Sequence, residues 1–148
     1  MKKQMITTMA AAIVFATLSI ASVRAQNAGT VSVHIPFDFA AAGMTLPAGD
    51  YYMRRRIERA QVEMEIISKD KSQTLLLTIH PVHGSDIQEE SRLVFNKYGD
   101  QYFLSQVWIA GRSNGEELAK TGRERLLQRE IAARAIKRER VAVAGKLN

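Results

Sequence analysis

A chain of 148 residues without cysteine cannot form disulfides, a catalytic thiol, a thiolate metal site or a lipid-modified cysteine. Its length suits one domain, and its 46% hydrophobic and 24% charged residues are ordinary for a globular protein. The net charge of +6 is uneven, because three basic residues lie in the first 25 positions and residues 112–148 carry ten basic against five acidic side chains.

The first 25 residues have the organisation of a signal peptide. Lys2–Lys3 precede an uncharged stretch over residues 4–23, which contains a short apolar centre. Val23 and Ala25 are small side chains at the −3 and −1 positions, so cleavage is predicted between Ala25 and Gln26. An uncleaved membrane anchor is the alternative. Either way, the remaining chain is expected to be exported, into the periplasm or out of the cell.

Alternating apolar and polar residues predict β-strands after the leader. Val31, Val33 and Ile35 alternate with Ser32 and His34, a period of two that is typical of a strand with one buried face and that places His34 toward solvent. The same pattern predicts strands at 51–56, 62–66, 75–79, 93–95 and 102–110. Turn residues separate most of them, whereas residues 80–91 are polar, include proline and glycine, and are predicted to form a loop.

About six short strands at this spacing predict a mainly β domain over residues 26–112. The strands at 51–56 and 62–66 are expected to pair as a hairpin, with further turns at 69–72 and 98–100. The architecture is predicted to be an antiparallel β-sandwich or a small barrel.

Residues 113–148 change to a helical pattern. Ser113 and Glu116 have the spacing of a capping box, and the following run up to Val143 lacks proline and is rich in arginine and glutamate. The segment is therefore predicted to be a basic α-helical tail. A helix that is polar on nearly all sides is typically solvated or packed on a partner. Removal of residues 113–148 is accordingly expected to leave a folded β-domain.

Several motifs occur together in the predicted domain. They are Ile35-Pro36-Phe37-Asp38-Phe39, Leu46-Pro47-Ala48-Gly49-Asp50-Tyr51, and Leu93-Val94-Phe95 followed by Tyr98–Ser105 and Trp108. In this combination the chain resembles a group of small exported proteins from soil bacteria, chiefly acidobacteria, that have no established activity. The likeness extends to residues 116–129. It implies a leader and a β-rich domain, and it supplies no catalytic residues.

Two histidines are the candidate metal ligands. His80 and His83 lie three residues apart, and Asp86, Glu89 and Glu90 follow them closely. Imidazole and carboxylate groups can bind zinc or another divalent ion. A solvated loop is the alternative interpretation, because no third ligand stands at a diagnostic spacing.

Arginines offer candidate contacts for an anion or a partner. These residues are Arg54, Arg56, Arg59, Arg125 and Arg129. The alternative for Arg54 and Arg56 is cross-strand pairing with Glu63 and Glu65 on the neighbouring strand. For the helical arginines, a solvated helix is the default interpretation, and contact with an anionic membrane surface or an acidic partner is the functional alternative.

Tyrosines and tryptophan suggest an aromatic binding face. Tyr51, Tyr98, Tyr102 and Trp108 could stack on a sugar or a peptide, and packing in the core is the alternative.

No nucleophile elbow, phosphate loop, dinucleotide fingerprint or zinc-protease motif occurs. The sequence therefore predicts a non-enzymatic, exported binding or envelope-associated interaction module without a cofactor and without nucleic-acid binding. One alternative is a carrier for a small apolar ligand, with Phe37, Phe39, Leu77 and Trp108 lining a barrel cavity. A second alternative is a hydrolase whose catalytic residues the sequence does not reveal.

Overall fold

The computed structural model describes residues 29–58, 61–134 and 138–148. The expected signal peptide, with its cleavage site at Ala25 and Gln26, lies outside these residues. The strands are β1 (Thr30–Ile35), β2 (Phe39–Ala41), β3 (Met44–Leu46), β4 (Gly49–Glu58), β5 (Gln61–Ser68), β6 (Thr74–His83), β7 (Ser91–Tyr98), β8 (Gln101–Trp108), β9 (Asn114–Leu118) and β10 (Glu139–Leu147). The helix α1 spans Gly122–Ala133.

Eight of the strands close into an antiparallel barrel in the order β8–β7–β10–β1–β4–β5–β6–β9, and β9 pairs back onto β8. Strands β2 and β3 form a short hairpin beside this ring, and β2 runs parallel to the start of β8, with Phe39 opposite Tyr102. The predicted mainly β class is confirmed. Of the two predicted architectures the barrel forms, and the predicted number of about six strands is too low.

The six strands predicted from alternation are β1 and β4–β8. The β4–β5 hairpin has the expected pairing, with Arg54 opposite Glu65 and Arg56 opposite Glu63. Both predicted turns occur, and each contains a residue in the left-handed region, Lys71 and Gly99, each with a φ of 60°. Tight hairpin turns need such a φ, and glycine adopts it without steric cost.

The C-terminal segment departs most from the prediction, because it belongs to the barrel. Strand β9 lies between β6 and β8, and β10 lies between β1 and β7. Val141 stands opposite Phe95 and Val143 opposite Leu93, so the two valines of β10 lie in line with core positions of β7. The tail predicted over residues 113–148 is therefore not a separate helical unit.

The helix is shorter than predicted and begins later. Residues 114–118 form β9, so the expected capping box at Ser113 does not cap a helix. Instead Thr121 is the N-cap, and its hydroxyl accepts a hydrogen bond from the backbone N–H of Glu124 at 3.2 Å. Among the described residues, no helix has the length and apolarity needed to span a membrane.

Strand β6 extends into the segment that was expected to be a loop. It continues to His83, and Pro81 lies opposite Glu116 of β9. The pairing of β6 with β5 ends at Thr78, so Pro81 has a strand neighbour on one side only. Proline, which has no N–H to donate, is tolerated where one side of a strand is unpaired.

Side chains from all around the ring fill the barrel interior. The largest fully buried apolar side chains are Phe39, Phe95, Ile35, Leu46, Met53, Met64, Ile66, Leu77, Leu93, Val31 and Val107. The β2–β3 hairpin contributes Phe39, whose ring contacts Tyr51 and Phe95 edge-on at centroid distances of 5.3 and 5.5 Å. Such edge-to-face packing stabilises an aromatic core.

Candidate functional site

Helix α1 is fixed to the outside of the barrel by a small second core. Ile131 is buried with Tyr98 and Phe103, which come from β7 and β8, and Leu127 packs against them. The helix therefore presents one side to the barrel and the opposite side to solvent.

A buried polar cluster adds to this attachment. Glu124 is only 4% exposed, and its Oε1 accepts hydrogen bonds from Asn96 Nδ2 at 3.0 Å and from the Tyr98 hydroxyl at 3.3 Å. Burial raises the pKa of Tyr98, and the nearby charge of Glu124 raises it further. Asn96 Oδ1 is buried and has no hydrogen-bond partner among the described residues.

The solvent side of α1 is mainly basic, and Glu130 is the exposed acid among its arginines. Arg123, Arg125, Arg129 and Arg134 are exposed on the helix and at its end. Leu126 is 62% exposed and lies between two of these arginines in the sequence. Within the described residues, none of the ion pairs includes an arginine of α1. The predicted contact residues Arg125 and Arg129 thus share one exposed surface, which we call the helix face (Arg125, Leu126, Arg129).

The arginines of β4 are arranged differently. Arg54 and Arg56 reach the buried carboxylate of Glu65, and Arg56 also pairs with Glu58 at 3.1 Å. Hydrogen bonding to Glu65 raises the pKa of Arg54. The cross-strand interpretation of these arginines is supported by the contacts. Arg59 lies outside the described residues.

The side chain of Arg55 projects from the face of β4 opposite to that of Arg54 and Arg56. Its guanidinium pairs with Glu116 of β9 at 3.5 Å, and the Glu116 side chain is only 12% exposed. The three consecutive arginines of β4 are therefore already engaged by acids of the same chain.

A groove of about 580 Å³ lies on the outer face of β10, β1 and β4. Small side chains such as Ser32 and Ala144 contribute to its lining, together with Tyr52, Lys146 and Asn148. Its volume falls in the range of small-molecule sites, about 300–1,000 Å³. The groove depends on β10, which the sequence pattern did not reveal.

Asp50 is the acidic residue in the lining of this groove, and it is bonded to two basic side chains. Its Oδ1 lies 2.7 Å from His34 Nδ1, and its Oδ2 accepts from Lys69 Nζ at 3.3 Å. Hydrogen bonds from His34 first, and from Lys69 second, lower the pKa of Asp50. The hydroxyl of Ser32 lines the same groove, but its hydrogen bonds go to the Lys146 carbonyl at 3.3 Å and to Asn148 at 3.5 Å.

A second concavity of about 370 Å³ continues this groove toward the β5–β6 turn. The two share Asp50, Tyr51 and Lys69, and the second also contains Asp70 and Ser72. Asp70 Oδ1 accepts from the Ser72 N–H at 3.0 Å and from its hydroxyl at 2.8 Å. Hydrogen bonds from Ser68 and Ser72 lower the pKa of Asp70.

The structure does not bring the two candidate metal ligands together. His80 and His83 are three residues apart on β6, so they project from opposite faces of the strand. His83 Nδ1 lies 3.1 Å from Asn114 Oδ1. No group of three or more His, Cys, Asp or Glu side chains suited to a metal ion occurs in residues 29–58, 61–134 and 138–148.

The four aromatic candidates also occupy separate places. Tyr51 is buried in the barrel and donates to the Pro47 carbonyl at 2.7 Å, whereas Tyr98 lies under α1. Tyr102 stacks on Phe37 with ring centroids 3.8 Å apart. Trp108 is 7% exposed and packs elsewhere, so these side chains do not form one aromatic face.

Trp108 occupies a slot that glycines make possible. A Cβ at Gly115 would lie 2.7 Å from the indole, and one at Gly84 would lie 2.9 Å from it. Arg92 lies over the ring at 5.6 Å from its centroid. Trp108 therefore packs between the barrel wall and the loop after β6, not in a barrel cavity.

Comparison with known proteins adds no relative: the chain matches no family model, no curated protein and no solved structure.

Proposed function

We propose that the protein is an exported, non-enzymatic module that binds an anionic surface of the cell envelope through the helix face. The observation that carries the proposal is the contrast between the arginines of β4 and those of α1. The former have acidic partners in the same chain, and the ion pairs of the described residues leave Arg125 and Arg129 without one. Export rests on the N-terminal sequence pattern.

The chemistry of the helix face suits phosphate groups. A guanidinium donates two parallel hydrogen bonds to a phosphate, and it loses hydration more easily than an ammonium group. Leu126 can enter the headgroup region between the arginines, as the apolar residues of peripheral helices do. Because Ile131 and Glu124 hold α1 on the barrel, this surface is preformed and requires little ordering on contact.

The test is binding to lipid vesicles by protein recovered from the exported fraction of a bacterial host, with its N-terminus determined by mass spectrometry. We expect sedimentation with phosphatidylglycerol vesicles and not with phosphatidylcholine vesicles. Each basic residue near an anionic surface contributes about 1 kcal/mol, so the R125Q/R129Q variant should bind roughly 30-fold more weakly.

The matched control is the K71Q/R112Q variant, which loses the same charge from exposed positions away from α1. It should retain most of the binding. Equal losses in the two variants would show that net charge alone drives the association, and the proposal would then fail.

A carrier role has less support. The interior is filled by apolar side chains, and Phe39 and Leu77, expected to line a cavity, are fully buried among them. The groove and its continuation are lined mainly by outer-face and turn residues, and they include only Val33 and Tyr51 of this interior set. Phe39 borders a smaller concavity of about 150 Å³, which it shares with polar residues such as Asp38 and Asp100. Failure of the protein to bind a fluorescent fatty acid would be the expected result.

A hydrolase is the second candidate function, and the His34–Asp50 pair in the groove is the observation that favours it. Ser32 would be the nucleophile, but its hydroxyl is bonded elsewhere and the His34 side chain is 72% exposed. The test is hydrolysis of p-nitrophenyl acetate, with H83A as control for surface imidazole. A rate that H34A and S32A both abolish would favour the hydrolase.

A further inference from the structure

The groove and its continuation form one track across the outside of the barrel. The groove begins on β10 at Lys146, the second concavity ends at Asp70 and Ser72, and Asp50, Tyr51 and Lys69 belong to both. The track therefore runs across the strands, from β10 over β1 and β4 to the turn after β5.

The charges of this track are separated by position. In the middle, Asp50 is paired with Lys69 and bonded to His34, so this part is close to neutral. At one end Lys146 takes part in none of the ion pairs between described residues. At the other end Asp70 is bonded to Ser72 and likewise forms no such ion pair. One end thus presents a positive charge and the other a negative charge.

The length of the track follows from sheet geometry. Adjacent strands lie about 4.8 Å apart, so the three steps from β10 to β5 span about 14 Å across the strands. Lys146 is in register with Ile67 of β5, and Asp70 lies three residues, about 10 Å, beyond Ile67 along the strand direction. The two ends are therefore about 17 Å apart, and an extended peptide, which advances about 3.4 Å per residue, covers this distance with about five residues. A ligand of that length would place its two termini at the two charged ends.

We propose that this track is a binding site for short zwitterionic peptides of about five residues, with the ligand carboxylate at Lys146 and its ammonium group at Asp70. This site is distinct from the helix face and goes beyond the function proposed above. Tyr52 lines the groove between the ends, and its hydroxyl offers a hydrogen bond that does not depend on the peptide's sequence.

The experiment uses the exported, processed protein and three probes: penta-alanine, its N-acetylated form and its C-terminal amide. Affinity is measured by calorimetry, and the site is mapped by amide chemical shifts. We expect penta-alanine to bind best and to shift the signals of Ser32, Tyr52 and Ser72. Each blocked terminus should weaken binding about two- to fivefold, as expected for a solvent-exposed ion pair.

Two variants assign the termini. D70N keeps an oxygen acceptor for Ser72 but loses the charge, so acetylation of the peptide should no longer matter while amidation still does. K146Q should show the reverse pattern. D86N and R140Q, which change the same charges at exposed positions outside the track, should behave like the unmodified protein, and R125Q/R129Q should bind the peptide normally.

Equal affinity for all three probes would overturn the proposal, and so would shifts confined to residues outside the track or the absence of saturable binding. Normal peptide binding by R125Q/R129Q, together with lost vesicle binding, would separate this site from the helix face.

Discussion

Gly145 is a residue whose missing side chain is needed for barrel closure. It lies on β10 opposite Val33 of β1, and a Cβ placed on it would lie 2.6 Å from Val31 Cγ1. Real Cβ atoms do not approach another carbon so closely, and Val31 is fully buried with no free space beside it. The glycine therefore sets how closely β10 can approach β1.

We expect Gly145→Ala to destabilise the protein by about 1–3 kcal/mol, the usual cost of overpacking a core. Urea unfolding measures the loss. In a Val31→Ala background the obstructing methyl is absent, so the same glycine substitution should cost much less. Strictly additive effects of the two changes would contradict this account of Gly145.

The hydrogen bonds of Asp50 make the stability of the protein depend on pH. Its lowered pKa means that the folded protein holds this carboxylate ionised more strongly than the unfolded chain does. The resulting stabilisation is present above the unfolded pKa of Asp50 and is lost as the pH falls through its lower folded pKa.

Replacement of His34 by alanine removes the principal hydrogen bond to this carboxylate. The pKa of Asp50 should then rise toward its ordinary value, and Lys69 should keep it from rising fully. Carbon-detected NMR titration of the side-chain carboxyl measures the change, with H83A as the matched control. An unchanged Asp50 titration in H34A would show that the contact is not formed in solution.

At the scale of elements, α1 depends on a buried carboxylate. Glu124 accepts from Asn96 and Tyr98, so its loss would leave two buried donors without a partner. Such unsatisfied groups cost about 1–3 kcal/mol each. A glutamine at this position keeps an acceptor oxygen and adds an N–H that can reach toward the unpaired Asn96 Oδ1.

We therefore expect Glu124→Ala to destabilise the protein by about 2–6 kcal/mol and Glu124→Gln to be neutral or stabilising. Urea unfolding gives the stabilities, and hydrogen exchange of α1 amides shows whether the helix detaches first. Equal destabilisation by both substitutions would indicate that the negative charge itself, not hydrogen-bond acceptance, holds α1.

The strands that can be predicted from the sequence are those with several consecutive alternations of apolar and polar residues, namely β1 and β4–β8. Strand β10 is different, because Val141 and Val143 are separated by alanine and preceded by Arg140 and Glu139. Alanine, arginine and glutamate favour helix, so local propensity opposes the strand, and pairing on both edges with β1 and β7 overrides it. The true helix start was visible as Thr121 followed by Glu124, a second capping-box spacing.

In the whole molecule, a surface formed by one element can be predicted from the sequence, whereas a surface formed by several strands cannot. The basic character of α1 is visible as an excess of arginine in the last third of the chain, and Arg125 and Arg129 lie on one exposed side of the helix. The track could not be anticipated, since Lys146, Ser32 and Asp50 meet only when β10 enters the barrel. The pairing of His34 with Asp50 likewise depends on the register between β1 and β4.

Closure of the barrel by β10 reverses the earlier expectation that residues 26–112 fold alone. Without residues 113–148, both β9 and β10 are missing, and β1 and β7 each expose an unpaired edge. Even removal of residues 139–148 alone should abolish cooperative unfolding, as followed by Trp108 fluorescence in urea, because inward-facing side chains of β1 and β7 would contact water.

A synthetic peptide spanning residues 139–148 should restore the transition by pairing in place of β10, whereas the same peptide with Val141 and Val143 replaced by serine should not. A truncated chain that unfolds with the cooperativity of the complete one would show that β10 is an addition to the barrel and not one of its walls.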